Sequence, residues 1–129
     1  MIGALMMAAV TGATSAAPEP HMVEHILGAI AQIESGGQDI GVHPDGVSYG
    51  RYGVTTQGAL AECIRMGVIP GVVASYDLSD PAHNARVARA YLLLMYERHG
   101  HSWFRATGWY HGGNVSARDD YAARVFDRL

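Results

Sequence analysis

Residues 29–54 read AIAQIESGGQDIGVHPDGVSYGRYGV. Ile26, Ile30, Ile33 and Glu34 follow one another at helical spacings, so all four share one face of a helix. A carboxylate thus stands on an otherwise apolar stripe, in the last turn, near the negative end of the helix dipole. Partial burial and the dipole both disfavour the charged form and raise the expected pKa. A glutamate that keeps its proton nearer neutral pH, beside an open Gly-rich loop, is what general-acid catalysis requires. Periodicity alone leaves a plainer reading open, in which Glu34 lies at the stripe's edge and reaches into solvent.

Other residues invite chemistry with weaker warrant. His21, Glu24 and His25 spell H-x-x-E-H, and on a helix the two histidines stand one turn apart, within reach of a zinc ion. This minor alternative is a zinc protein using His21 and His25; the five-residue motif sits at the start of the domain among seven histidines, so a chance match is the blander account. His99 and His101 flank Gly100 at a helix end, where a cation complements the dipole. Cys63, the single cysteine, cannot form an internal disulfide and reads as a small buried residue. No metal and no cofactor are expected.

The elements that must position these residues are mainly helical. A first helix is predicted from His21 to Ser35, stopped by Gly36 and Gly37. Residues 38–52 lack helical periodicity, and HPDG reads as a turn within a small irregular hairpin or loop, with Asp45 in a routine turn position. A second helix is expected over Thr55–Met66. The third has Asp80 as N-cap and Pro81 at its first position and runs to Gly100; it buries the broadest face and should be central. SWFRATGWY forms a shorter fourth, ending at HGG. Ser116, with Asp119 three residues on, suggests a capping box opening the fifth, which carries Tyr121, Val125 and Leu129 on one face. The expected fold class is all-α, about five helices around a central one with a small irregular lobe.

The blocks IESGG, VSYGRYGV, ARVARAYLLLMYERHG, WYHGGN and YAARV, in this order, resemble the soluble lytic transglycosylase (SLT) domain family, which shares the lysozyme-like fold with goose-type lysozymes. The resemblance covers about residues 23–127. It implies cleavage of the bond between N-acetylmuramic acid and N-acetylglucosamine in peptidoglycan, with anhydromuramic ends formed. By this resemblance Glu34 is the catalytic residue of the family's Glu-Ser pair and Ser35 its companion. The Tyr-Leu pair matches Tyr91 and Leu92, and the Tyr-Asn block matches Tyr110 and His111. Ser48, Tyr49, Tyr52, Tyr110, His111 and Tyr121 are the further candidates for substrate binding, since aromatic faces and hydroxyls suit sugar rings. The chain departs from the family where Gly53 replaces a Gln and His111 an Asn. Those departures motivate one alternative, a non-catalytic peptidoglycan-binding or assembly domain. Asp39 and Asp45, in the loop after Glu34, motivate another, a hydrolytic goose-type-like muramidase with a water-positioning carboxylate.

Composition suits this setting. The chain has 129 residues, 49% hydrophobic and 16% charged, and a formal net charge of -3, which fits one compact domain and gives no footing for nucleic acid. The opening MIGALMMAAVTGATSAAPEP carries a short apolar run and small residues, the pattern of a secretory signal peptide over 1–17, although no Lys or Arg precedes the run. The run is too short to span a membrane. The expected organisation is a leader over 1–17 and a domain over 18–129, acting in the periplasm or outside the cell as a monomer on glycan strands. By resemblance, small stand-alone domains of this kind often serve envelope-spanning secretion, conjugation or phage assemblies.

Overall fold

The structure, a computed structural model, describes residues 20–129. The leader expected over 1–17 lies outside the described residues. Helix α1 spans Pro20–Ser35. Gly36 and Gly37 end it at φ of 66° and 79°, and their amides bond back to the carbonyls of Gln32 and Ala31. Glycine reaches this left-handed region without a Cβ clash, so orphan carbonyls of the last turn are satisfied in one step.

The lobe that follows is small. Strands β1 (Ser48–Tyr49) and β2 (Val54–Thr55) pair antiparallel, Ser48 opposite Thr55 and Tyr49 opposite Val54. Asp45 closes the turn before β1 by accepting the amides of Val47 and Ser48. Between Gly36 and Gly53 only His43 and Gly50 are buried, and His43 Nε2 donates to Gly50 O at 2.7 Å.

The second helical run begins and ends close to the expected residues, but its opening is wider than an α-helix. Thr56–Leu60 is π-helical and leads into α2, Ala61–Arg65. The Thr55 hydroxyl accepts two amides, from Gly58 and Ala59, and a Cβ at Gly58 would crowd that hydroxyl at 2.6 Å. A short 3₁₀ turn, Val73–Ser75, precedes α3, Pro81–Arg98, where Asp80 caps the amides of Ala82 and His83 as expected. Helix α4 covers Trp103–His111, capped by Ser102, and α5 covers Val115–Phe126. The start of α5 departs from expectation. Gly112 and Gly113, both at positive φ, turn the chain early, and Asn114 rather than Ser116 caps the helix by accepting from Ala117 N.

Among the described residues there are five α-helices, of which α1, α2 and α4 pack on α3 while α5 packs on α4 and α1, a mainly helical arrangement consistent with the lysozyme-like fold the resemblance implies. One core unites Val23, Ile26 and Ile30 of α1, Leu60 and Cys63, Val87, Leu92 and Met95 of α3, Ala106 of α4, and Tyr121 and Val125 of α5. Burial pushes the Cys63 thiol up to about 11, which suits an inert packing residue. Glu62 ties α2 to α3 through Arg98 at 2.6 Å, and pairs within α2 with Arg65 at the same distance. Trp109 is sandwiched between the His99 ring at 4.3 Å and the Arg118 guanidinium at 3.8 Å, which locks the end of α3 to α4 and α5.

Candidate active site

Glu34 stands half-buried in the last turn of α1 and borders a cleft of about 360 Å³. Its Oε2 accepts a hydrogen bond from the Tyr121 hydroxyl at 2.8 Å. Tyr121 comes from α5 and is only 2% exposed, so this bond is made inside the protein. On the other side lies Gly53, at φ 64°, where a Cβ would stand 2.5 Å from Glu34 Oε1. A phenol therefore meets one carboxylate oxygen, and bare backbone makes room for the other.

The turn carrying Gly53 is tied down from several helices. Ser35 Oγ, at the end of α1, donates to Arg51 O at 2.8 Å and accepts from Gln38 N. The Tyr110 hydroxyl of α4 donates to Tyr52 O at 2.8 Å. Burial, reinforced by the charge of Glu34, pushes both the Tyr110 and Tyr121 phenols well above the ordinary tyrosine range, so both keep their protons. His111 completes this wall, its ring stacked on Tyr121 at 4.4 Å and 14°.

Of the residues singled out from the sequence, Glu34, Ser48, Tyr110 and His111 border the cleft. Ser35 is turned to backbone, and Tyr121 serves Glu34 from below rather than presenting a face to solvent. Tyr49 lines a neighbouring groove with Val47 and Gln57, and Tyr52 a separate one with Asp39 and Arg51. Asp39 is committed to Arg51 through two hydrogen bonds of 3.0 and 3.1 Å, outside the cleft. Asp45 does border it; hydrogen bonds from the Ser48 hydroxyl and the Ser48 and Val47 amides hold its carboxyl at about 2, so it is a fixed anion.

Sequence reasoning did not single out Thr55, which lines the cleft, or the part Tyr121 plays toward Glu34. Tyr91 was named only in the family blocks; it lines the cleft with its ring against Tyr110 at 5.7 Å. At the proposed zinc motif Glu24 is paired with Arg89, and no group of three metal-type ligands converges among the described residues.

The family model described as the transglycosylase SLT domain matches residues 13–125, a span that includes Glu34, Gly53, Tyr110 and Tyr121. The chain belongs to the SLT domain family. Comparison with curated proteins and with solved structures gave no match. SLT domains act on peptidoglycan, and membership gives this one a peptidoglycan-directed, transglycosylase-type function in general terms. No helix of this SLT domain, among the described residues, is long and apolar enough to cross a membrane.

Proposed function

We propose that the protein is a peptidoglycan lytic transglycosylase in which Glu34 acts first as acid and then as base. The observation that carries this reading is a single cleft-facing glutamate whose carboxylate is held by a buried phenol, 2.8 Å away. Protonated Glu34 donates to the glycosidic oxygen, and the bond from the muramyl anomeric carbon to that oxygen breaks. The N-acetylglucosamine side leaves as a free hydroxyl. The sugar's own N-acetyl group stabilises the cationic carbon, a substrate-assisted route that needs no second carboxylate. The muramyl C6 hydroxyl then attacks that carbon and gives its proton to ionised Glu34, which closes the anhydro ring and restores the acid.

A phenol suits both halves of this cycle. Its O–H can donate to Oε2 both when Glu34 is ionised and when Oε1 carries the proton, which leaves that proton free for the sugar. Ser48, Tyr110 and His111 border the cleft, which supports the reading that they contact the sugars. Action in the periplasm or outside the cell, a cleaved leader over 1–17 and service to an envelope-spanning assembly belong to the same proposal.

The test is a digest of purified peptidoglycan read by mass spectrometry, wild type beside Glu34→Gln. Anhydromuramyl ends are expected from wild type alone, with activity of the variant down by a factor on the order of 10²–10⁴. Undiminished activity in Glu34→Gln would sink the assignment. A second reading, hydrolysis, is favoured by one observation: Asp45 places a fixed anion on the same cleft as Glu34. Reducing ends carrying ¹⁸O from labelled water would identify it.

A further inference from the structure

Asn84 lies on the inward face of α3, is 1% exposed and does not border the cleft. Burying an amide is costly unless its polar atoms are bonded, and here they are. Its Oδ1 accepts from Tyr52 N at 3.1 Å, and its Nδ2 donates to Tyr49 O at 2.8 Å and to Leu78 O at 2.9 Å. Gly50, at φ 75°, packs so closely that any Cβ there would collide with this amide. One side chain thus grips the turn on both sides of Gly50 and joins it to the segment leading into α3.

We propose that Asn84 is a positioning residue for Glu34. The chain of contact is short. Asn84 fixes the backbone at Tyr49 and Tyr52; Tyr52 is followed by Gly53; and Gly53 is the wall beside Glu34 Oε1. Ser35 and Tyr110 hold the carbonyls of Arg51 and Tyr52 from α1 and α4, and Asn84 supplies the grip from α3. Without it the turn can relax toward or away from the carboxylate, and displacements of about 1 Å at a reacting group cost on the order of 10²-fold in rate. A residue that only filled the core would be replaceable by a leucine of similar volume; the amide's three bonds to backbone argue for a fixed turn instead. The inference rests on the reading of Glu34 as the acid.

The test compares wild type with Asn84→Leu, which removes all three bonds, and Asn84→Ser, a smaller neutral change that buries no charge and whose hydroxyl is too short to bridge Tyr52 N and the carbonyls of Tyr49 and Leu78. Turnover on peptidoglycan is read as kcat and KM separately. The ¹³C resonance of the Glu34 carboxyl, identified by its loss in Glu34→Gln, is followed by NMR through a pH titration of the free protein. In folded variants kcat is expected to fall roughly 10–100-fold with KM within about twofold of wild type, and the Glu34 resonance and its titration midpoint to move. A variant that is less stable yet keeps wild-type kcat and an unmoved Glu34 resonance overturns the proposal, as does a rise in KM alone. If Asn84→Leu does not fold, Asn84→Ser decides. If wild type cleaves no peptidoglycan, the functional reading fails while the resonance still decides whether Asn84 positions Glu34.

Discussion

The bond between Tyr121 and Glu34 joins residues 87 positions apart. Its removal in Tyr121→Phe leaves the ring in place and is expected to lower kcat about 10–100-fold, with little change in KM. The same phenol has a consequence for stability. Its folded pKa is raised, chiefly by burial and then by Glu34, so the unfolded chain gives up this proton first, near 10. The stability tied to it is complete below that pH and is lost as the pH climbs above it. Denaturation profiles between neutral pH and strong alkali should therefore fall less steeply for Tyr121→Phe than for wild type. Glu34 itself was legible in the sequence, because a carboxylate on a 3.6-residue apolar stripe breaks a pattern. Asn84 breaks the same pattern on α3, standing one and two turns before Val87, Ala88 and Tyr91, and the criterion that found Glu34 applies to it equally. Tyr121 was visible as a buried aromatic of the fifth helix, but no local spacing could pair it with a residue near the other end of the chain.

At the level of the element, the turn 50–53 carries the site, and glycine makes it possible. Gly53→Ala should be strained by about 1–2 kcal/mol in the left-handed region and should displace Glu34, whose Oε1 lies 2.5 Å from the new Cβ position. A melting curve and a peptidoglycan turnover assay check the two effects; wild-type turnover would show that the carboxylate has other room. The departure from the family's Gln at this position thus has a local counterpart: the space is used by the carboxylate. Helices were legible as elements because Asp80-Pro81 and the Gly pairs at 36–37 and 112–113 punctuate them in the sequence. The cap of α5 was misread because Ser116 and Asp119 fit a capping box equally well on paper, whereas the turn at Gly112–Gly113 brings Asn114 to the helix boundary first. The π-helical opening after Thr55 left no periodic mark in only five residues.

For the whole molecule, stability in acid should depend on Glu62. Hydrogen bonds from Arg65 and Arg98 lower its folded pKa to about 2 from an ordinary 4.5. Its contribution is present above about 4.5 and is lost as pH falls toward 2, so wild type should destabilise steeply across that window. Glu62→Gln should be less stable than wild type at neutral pH and flatter across the window, as chemical denaturation at a series of pH values would show. The bundle was readable from sequence since each helix states its buried face in its own residues. The lobe was not, since its strands are two residues each and its ties run to Ser35, Asn84 and Tyr110, far away in sequence. That dependence has a consequence for the order of folding. With only His43 and Gly50 buried in residues 36–53, the lobe owns almost no apolar core, and the side chains that hold its turn reach it only once α1, α3 and α4 are docked. The wall beside Glu34 is therefore expected to form after the bundle and to open before it, which lower hydrogen-exchange protection of the amides in 36–53 than of those in α1 and α3 would show.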